Sequence, residues 1–565
     1  MFTARKGPRS GVAARIRLPR VARRFFAMSA DEPDAGRVLR VATWNVAAVN
    51  NNPFEYFITH HDPAYNKLMA DVEAFIDSPG DGDVTVGEII DDAMFEELVA
   101  DMHAHGVEGI DATAEYWHAH IKPRRIVSGF LKDKAIGAKR LCSMPDRVTN
   151  TINSADGVLY RPTVINCYAQ AMPTVRSWWE QWRRFMFHTK VTPLSASRGG
   201  APPRDVCFLL DPISRSKYPA VTPEEEAISV PLQTACMAAF DGILVHLVNA
   251  LAPGKWHGVK REMVASLNEN KTERTLDILT SPAYSTCDVV CVQEAAAALV
   301  RDLASHAALG ERYHVLYPEK LDGKRDQNSL VLCSKKRFDV DRPEWRGETT
   351  ALVAGFVARD APASVAPGDL FAVRVVERDA RDSKHGGRYV LASFHGDTNG
   401  LATIPVVDAV DKHALLLDPE APTPSDEARA PRAPPRMVFG MDANTHVAHE
   451  EGKKQGVASF AAHLERRGLV SCWGVEPDPR VHTTFNARTY LQPQLNKAVR
   501  FAERATSPAT DKHPKDHILF RLGTFECRIV TRDNTGEGEF VDDAPFPTLT
   551  FPSDHALVCA ELVEV

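Results

Sequence analysis

The residues of this sequence whose types could do chemistry lie in short polar segments at the ends of apolar runs. Carboxylate and amide oxygens are the ligands that a hard cation such as Mg²⁺ prefers. A histidine held by a carboxylate can act as a base or stabilise charge near neutral pH. Phosphoryl transfer needs these parts, and Glu294 is the best single metal ligand among them. The segments are TWN with Asn45, VQE with Glu294, SFHGD with His395, GMDAN with Asp442 and Asn444, KDHIL with Asp516, and FPSDH with Asp554 and His555.

Apolar, valine-rich runs place each of these segments beside a predicted β-strand. One such residue after a strand is usually a cap or a turn, but turn chemistry does not explain the whole set. In an open α/β sheet, groups at strand ends line one crevice. Strands in series, with helices between some of them, indicate an α/β or α+β sandwich. The predicted strands are 37–49, 287–295, 328–334, 370–378, 388–396, 436–444, 516–520 and 555–562.

In their order along the chain, the six segments resemble the motifs of the endonuclease/exonuclease/phosphatase superfamily, whose fold is that of DNase I. The match covers about 37–50 and 270–565, and the FPSDH form is similar to that of the deadenylase branch. The resemblance implies a four-layer α/β (α+β) sandwich in which helices flank two packed β-sheets. It also implies hydrolysis of a phosphoester by in-line attack of an activated water, with Mg²⁺ or Mn²⁺ as cofactor.

The resemblance further implies a role for each matching residue. Asn45 and Glu294 would help to hold the metal ion, and Asp554 would contribute to the same site or to a second ion. Asp442 would orient or activate the attacking water, and Asn444 would contact the phosphate.

Two histidines complete the set that the resemblance implies. His555 would face the scissile phosphate as a base or as an oxyanion partner, oriented by a carboxylate for which Asp516 is the candidate. His395 would donate to a phosphate oxygen or assist the leaving group.

Three further polar residues are candidates for substrate binding, each with a plainer alternative. Asp397 and Asn399 stand in HGDTNG, which is more polar than the His-Leu form typical of the superfamily, and a strand-to-helix cap explains them equally well. Asn328 follows a basic stretch and is a candidate phosphate contact, with surface hydrogen bonding as the alternative. Met441 separates the usual glycine from the acid, but the acid-to-amide spacing is kept, so we expect the chemistry to be kept.

The sequence predicts a leader, a catalytic domain made of two segments, an insertion between them and a Pro/Ala-rich loop. Residues 1–36 form a basic leader, whose first 30 residues carry eight Lys/Arg and no acid. That pattern is typical of an organelle transit peptide, a disordered arm or a misplaced start. Residues 37–50 and 266–565 form the predicted catalytic domain, and a mainly helical insertion at 51–265 interrupts it. Residues 417–437 are a Pro/Ala-rich loop.

Bulk composition limits the class of protein. The 44% hydrophobic and 25% charged residues are typical of a soluble globular protein, and the net charge of -7 excludes a simple polycation but not a local basic groove. The cysteines form no CxxC pair and no zinc spacing, which favours a reducing intracellular compartment. That compartment is the mitochondrion or plastid if the leader targets the chain, and otherwise the cytoplasm or nucleus. The most apolar window, 235–252, is interrupted by polar residues, so it predicts a buried helix and no transmembrane segment.

We expect the insertion to determine substrate specificity, because it begins directly after the strand of Asn45. Its segment 121–140 has seven Lys/Arg against one acid, which fits either steering of a nucleic-acid backbone or a solvated helix face. Trp178, Trp182 and Phe185 recur at helical spacing and predict a core stripe.

Three functions stay open on the sequence. The first is a metal-dependent phosphodiesterase or nuclease acting on nucleic acid or a nucleotide. The second is a phosphatase or phospholipase-like hydrolase of an inositol phosphate or lipid, because one fold supports all of these chemistries. The third is a catalytically dead scaffold that binds a partner through the insertion, and it is disfavoured because each motif position keeps its chemistry. The oligomeric state leaves no trace in the sequence.

Overall fold

A computed structural model of the chain shows two β-sheets packed face to face and a helical unit beside them. It describes residues 38–47, 50–139, 141, 147–154, 157–192, 202–322, 325–341, 347–348, 365–378, 387–415 and 435–565. The predicted leader and most of the predicted Pro/Ala-rich loop lie outside the described residues.

Each strand that the sequence predicts is present, and the described residues contain further short or edge strands. In chain order the strands are β1 (Val38–Asn45), β2 (Thr151–Ser154), β3 (Gly157–Tyr160), β4 (Lys190–Val191), β5 (Arg204–Asp205), β6 (Val289–Ala295), β7 (Tyr313–Leu316), β8 (Asn328–Ser334), β9 (Phe338–Asp339), β10 (Gly347–Glu348), β11 (Leu370–Glu377), β12 (Arg388–His395), β13 (Arg436–Asp442), β14 (Leu469–Ser471), β15 (Asp516–Arg521), β16 (Phe525–Asp533) and β17 (Leu557–Glu564). The parallel pair β1 and β6 is buried along most of its length, which explains its nearly continuous apolar sequences.

Two large sheets position the strand ends. The first runs in the order β16-β17-β1-β6-β8-β7, and the second runs β10-β11-β12-β13-β15-β14, with β9 paired to β11. Side chains of the two inner faces, such as Val41 and Val331 on one and Leu391 and Ile518 on the other, form one buried cluster. At Gly440 the sheets approach so closely that an added Cβ would lie 2.5 Å from the Cβ of Cys291.

The α-helices form most of the insertion and cover the outer faces of both sheets. In chain order they are α1 (Pro63–Asp77), α2 (Val86–Ile89), α3 (Asp92–Ala104), α4 (Ile110–Tyr116), α5 (Lys134–Lys139), α6 (Arg147–Asn150), α7 (Val175–His188), α8 (Pro223–Ala227), α9 (Ser229–Leu251), α10 (Trp256–Val264), α11 (Lys271–Thr280), α12 (Ala297–Ser305), α13 (Ala307–Arg312), α14 (Thr403–Leu415) and α15 (Val457–Arg466). Ile278 and Leu303 pack on the first sheet, and Val406 and Phe460 pack on the second. The predicted four-layer α/β sandwich with a helical insertion is therefore confirmed.

The insertion between β1 and β6 has a hydrophobic core of its own. Its buried cluster runs from Phe54 to Met263 and is joined by Ala487 and Leu491 of the two-sheet unit, so the two parts pack against each other. Trp178 and Trp182 are buried there, as the core-stripe prediction requires.

Helix α9 is, among the described residues, the one helix long and apolar enough to cross a membrane. The apolar window of α9 is 78% buried inside the protein, so the predicted buried helix is confirmed. Eight described cysteines are free thiols, and Cys236 is disulfide-bonded.

Candidate active site

Neighbouring strand ends of the second sheet bring acids and a histidine into one row. The register of β12, β13 and β15 pairs His395 with Asp442, and Asp442 with Asp516. The first sheet supplies Asn45 at the end of β1, and its Nδ2 donates to Asp442 Oδ2 at 2.9 Å and to Glu294 Oε1 at 3.0 Å. The strand ends of both sheets therefore meet at one site, as the sequence predicts.

Asp442 is the central acceptor of this site and is only 1% exposed. Its Oδ1 accepts from the backbone N–H of Asn444 at 2.9 Å, and the Asn444 side chain donates to the Gly396 carbonyl at 3.0 Å. Its Oδ2 lies 3.7 Å from His395 Nε2 and 3.6 Å from His555 Nε2. Two imidazole groups thus converge on one fixed carboxylate.

Glu294 and Asn444 adopt left-handed backbone conformations, with φ of 55° and 49°. The pairing of β6 with β8 is irregular between Val292 and Ala295, which re-aims Glu294 out of the sheet. Left-handed non-glycine residues are strained and cluster at functional sites. Glu294 Oε1 then lies 3.0 Å from His395 Nε2.

His555 is held by a carboxylate on the side away from Asp442. Its Nδ1 lies 2.9 Å and 3.1 Å from the two oxygens of Asp516, and Thr483 Oγ1 donates to Asp516 Oδ2 at 2.5 Å. Burial alone would lower the pKa of His555, but the charges of Asp516 and Asp442 raise it to about 10. His555 is therefore an imidazolium at neutral pH and a donor from Nε2.

Asp554 faces the same cleft as Glu294 and accepts from Asn486 Nδ2 at 3.3 Å. Burial raises the pKa of Asp554, and the nearby charge of Glu294 raises it further. Lys271 lines this cleft too, and burial lowers its pKa to about 8, while Asp554 and Glu294 act in the opposite direction.

The three predicted substrate-binding residues are not among those that line the cleft of Glu294, Asp554 and His555. Asn328 is fully buried, and its side chain donates to the Ala295 carbonyl and accepts from the Asp322 N–H, so it fixes loop backbone instead of facing the cleft. Asp397 is exposed and accepts from the N–H groups of Ala402 and Asn399. These contacts agree with the alternative of a strand-to-helix cap. The side chain of Asn399 is also exposed.

Several residues that complete the site are not among the predicted ones. Gln327 donates from Nε2 to Glu294 Oε2 at 3.1 Å, while Thr483 and Asn486 hold Asp516 and Asp554. Buried Lys515 donates to Asp511 at 2.8 Å. Burial would lower the pKa of Lys515, but Asp511 and Asp442 raise it above its ordinary value. The TTFN run at 483–486 was the one sequence signal for this loop, and its role depends on contacts that no local pattern encodes.

Three of the seven Lys and Arg residues of the basic run at 121–140 form ion pairs with acids of the insertion. Lys122 pairs with Asp92 at 2.5 Å, Arg124 with Asp133 at 2.7 Å, and Lys139 with Glu225 at 2.7 Å. These ion pairs favour the alternative of a solvated helical surface over a surface that steers a nucleic-acid backbone.

Two groups of side chains in the described part of the chain bring three possible metal-ligand atoms within 4.8 Å of one another. They are Glu294 with His395 and Asp442, and Asp442 with Asp516 and His555. A cluster of carboxylates and histidines that could hold a metal ion therefore exists at the predicted site.

No curated protein matches this sequence. A family described as a domain of unknown function, DUF8234, matches residues 83–261, which lie inside the helical insertion. Similar solved structures include D. rerio TDP2 complexed with single strand DNA product, at 15% identity over 53% of this chain and 95% of that chain, with a TM-score of 0.32. A second is an endonuclease/exonuclease/phosphatase family protein from Bacteroides thetaiotaomicron, at 16% identity over 52% of this chain and 90% of that chain, with a TM-score of 0.31. A third is the human Nocturnin catalytic domain with bound sulfate, at 12% identity over 52% of this chain and 86% of that chain, with a TM-score of 0.30.

Proposed function

We propose that this chain is a divalent-metal-dependent hydrolase that cleaves a phosphodiester of a nucleic acid or nucleotide. The observation that carries the proposal is the arrangement around Asp442, whose Oδ2 lies within 4 Å of the Nε2 atoms of both His395 and His555. Asp442 can thus accept the proton of a water molecule at a point where His395 and His555 can donate to phosphate oxygens. The left-handed backbone of Glu294 supports the proposal, because strained non-glycine residues cluster at functional sites.

The donor set beside Asp442 fits a hard divalent cation. Glu294 and Asp554 line one cleft, and Asn45 contacts Glu294. The two carboxylates disfavour each other's ionisation, and a cation would relieve that repulsion. These three residues would hold the ion, which when bound neutralises phosphate charge and makes a bound water more acidic. Mg²⁺ and Mn²⁺ share this preference for oxygen ligands.

The residues of the chain supply the proton transfers of an in-line displacement. A water oxygen bonds to phosphorus as the bond to the leaving oxygen breaks, and Asp442, fixed by Asn45 and Asn444, accepts the proton of the water. His555 donates from Nε2 to a non-bridging phosphate oxygen and keeps its proton, which favours the oxyanion-partner role over the base. The proton that Asp442 accepts passes to His395 Nε2, 3.7 Å away, and from there to the leaving oxygen.

The nucleic-acid or nucleotide class is supported by the FPSDH segment, which is similar to that of the deadenylase branch. RNA with a poly(A) tail is therefore the first substrate to test. The inositol-phosphate and lipid alternatives share the same chemistry at phosphorus and belong in the same experiment.

The test is hydrolysis by the full chain of poly(A)-tailed RNA, DNA, an inositol phosphate, a phospholipid and a generic diester. Each is assayed with Mg²⁺, with Mn²⁺ and with chelator, for wild type and Glu294→Gln. We expect metal-dependent cleavage of a nucleic-acid substrate that Glu294→Gln reduces at least about 100-fold. Hydrolysis of the inositol phosphate or the phospholipid alone would support the phosphatase or phospholipase-like alternative. No hydrolysis of any substrate by the folded protein would support the catalytically dead scaffold.

A further inference from the structure

A cleft of about 330 Å³ opens beside His555 and is built in part by the helical insertion. Asn50, Asn52, Lys271, Glu294, Asp554 and His555 are its polar lining residues. Its larger apolar lining residues and Tyr56 are called the ring pocket here. The ring pocket consists of Pro53, Tyr56, Ile58, Leu267, Pro547 and Pro552.

Contacts with the two-sheet unit hold the Tyr56 segment in place. The Arg488 guanidinium lies 5.3 Å from the centre of the Tyr56 ring, and Tyr56 and Arg488 also form a β-bridge. Phe57 N–H donates to the Ala487 carbonyl at 2.8 Å, and Asn52 Nδ2 donates to the Leu491 carbonyl at 3.0 Å. The ring pocket is therefore preformed, as small-molecule sites usually are.

Lys271 adds a positive charge where the ring pocket meets the acids. It begins α11, is 8% exposed and lines the cleft. Its Nζ donates to the Pro552 carbonyl at 3.2 Å, and an ammonium group has three N–H donors. Lys271 can therefore bind a phosphate oxygen while it keeps this contact, and an entering anion would stabilise the buried charge.

We propose that the substrate carries a planar ring close to its scissile phosphate, that the ring enters the ring pocket, and that Lys271 contacts a phosphate oxygen. This inference rests on the proposed function. A phosphate and a sugar alone would leave the apolar wall in water, whereas a flat ring covers it and packs well against Tyr and Pro side chains. Nucleobases and aryl groups share this chemistry. Because the insertion supplies Tyr56, the preference belongs to this chain and not to the two-sheet fold.

The test compares three diesters whose shared leaving group carries no ring, the methyl, phenyl and thymidine 5′ esters of hexafluoroisopropyl phosphate, with release of the fluorinated alcohol followed by fluorine NMR. For wild type we expect kcat/KM for a ring-bearing ester to be about 10- to 100-fold above that for the methyl ester. A higher value for the thymidine ester than for the phenyl ester identifies a nucleobase, and the reverse order identifies an aryl group.

Two variants separate the contributions of the ring pocket and of Lys271. Tyr56→Leu is expected to reduce the preference to below about threefold, mainly through KM, because stacking supplies most of it. The matched Tyr317→Leu, at a 40% exposed tyrosine outside the cleft, is expected to keep the preference. Lys271→Met is expected to lower kcat/KM for all three esters alike, whereas Lys453→Met, at an exposed lysine, is not.

Equal kcat/KM for the three esters in wild type, or a preference that survives Tyr56→Leu, would overturn the ring pocket and leave the proposed function standing. Absence of hydrolysis of all three esters would instead contradict the proposed function. Calorimetric binding of AMP and of ribose 5-phosphate to wild type then decides the ring pocket without catalysis. Tighter binding of AMP is expected, and equal affinities would overturn the inference.

Discussion

Asp516→Asn is the substitution that most sharply tests the role given to His555. The change keeps the shape of the side chain and removes its charge. In wild type, Asp516 is fully buried and holds His555 Nδ1 at 2.9 Å, so solvent cannot replace the lost interaction. We expect the imidazole to lose both its fixed orientation and part of its proton affinity.

The size of the effect follows from this contact. A hydrogen bond to a charged group contributes about 1.5–3 kcal/mol, and 1.36 kcal/mol corresponds to one pKa unit. Asp516→Asn should therefore lower the pKa of His555 from about 10 to about 8–9, since Asp442 still raises it. Because the protonated form is the donor, the basic limb of the kcat/KM profile moves to lower pH by about one to two units. Loss of orientation should lower kcat by about 100-fold or more at neutral pH.

The assay is the pH dependence of kcat/KM for a 4-nitrophenyl diester between pH 6 and 11. Asp408→Asn is the matched control, because Asp408 holds His463 Nε2 at 2.8 Å in a histidine–carboxylate pair outside the site. We expect Asp408→Asn to behave as wild type. An unmoved basic limb in Asp516→Asn, or a shift of equal size in Asp408→Asn, would refute the reasoning.

Three further predictions concern stability and charge. Lys271→Met should be more stable than wild type by about 3 kcal/mol at pH 7, because the lowered pKa of Lys271 makes its charge costly below pH about 8. The difference in stability should vanish as the pH rises to about 10.5. Urea unfolding that shows a less stable variant at pH 7 would contradict this prediction. Gly440→Ala should lower the free energy of unfolding by about 1–3 kcal/mol, since its Cβ would lie 2.5 Å from Cys291 Cβ. Gly258→Ala, in open space within α10, should be neutral or stabilising, and equal losses in the two variants would refute the close sheet contact. The double variant Lys122→Gln and Arg124→Gln should bind single-stranded DNA with an affinity within about twofold of wild type, because both cations are paired with carboxylates. A loss of affinity of about tenfold, with a weaker dependence of affinity on salt concentration, would instead support steering of nucleic acid by this run.

The central strands could be predicted because their burial leaves a plain sequence signature. β1 and β6 are buried along most of their lengths, so their runs are apolar and end abruptly in polar residues. β16 escaped prediction for the opposite reason. It is an edge strand whose FECRIVTRD sequence places charged side chains in solvent, and its burial alternates irregularly.

The candidate site could be predicted where a residue ends a strand, and not where tertiary contacts decide its role. Asn45, Glu294, Asp442 and His555 meet because the ends of their strands meet. Lys271 has the sequence context of a surface lysine in KTERTL, but in the structure it is buried and donates to the Pro552 carbonyl in the loop before β17.

Contact partners that are distant in the sequence explain two of the differences between expectation and structure. Lys139 belongs to a run that looks basic, but its partner Glu225 lies 86 residues away. Asn328 has the type of a phosphate contact, but it is fully buried and fixes the backbone of Ala295. Local sequence contains neither fact.

The measurement that tests the central claim most directly is release of 4-nitrophenol from bis(4-nitrophenyl) phosphate by wild type, His555→Ala and the matched His463→Ala. Each protein is assayed with Mg²⁺ or Mn²⁺ and again with chelator. The account predicts metal-dependent release by wild type and His463→Ala, and a loss of about 1,000-fold or more in His555→Ala. No release by folded wild type, or full activity of His555→Ala, would contradict it.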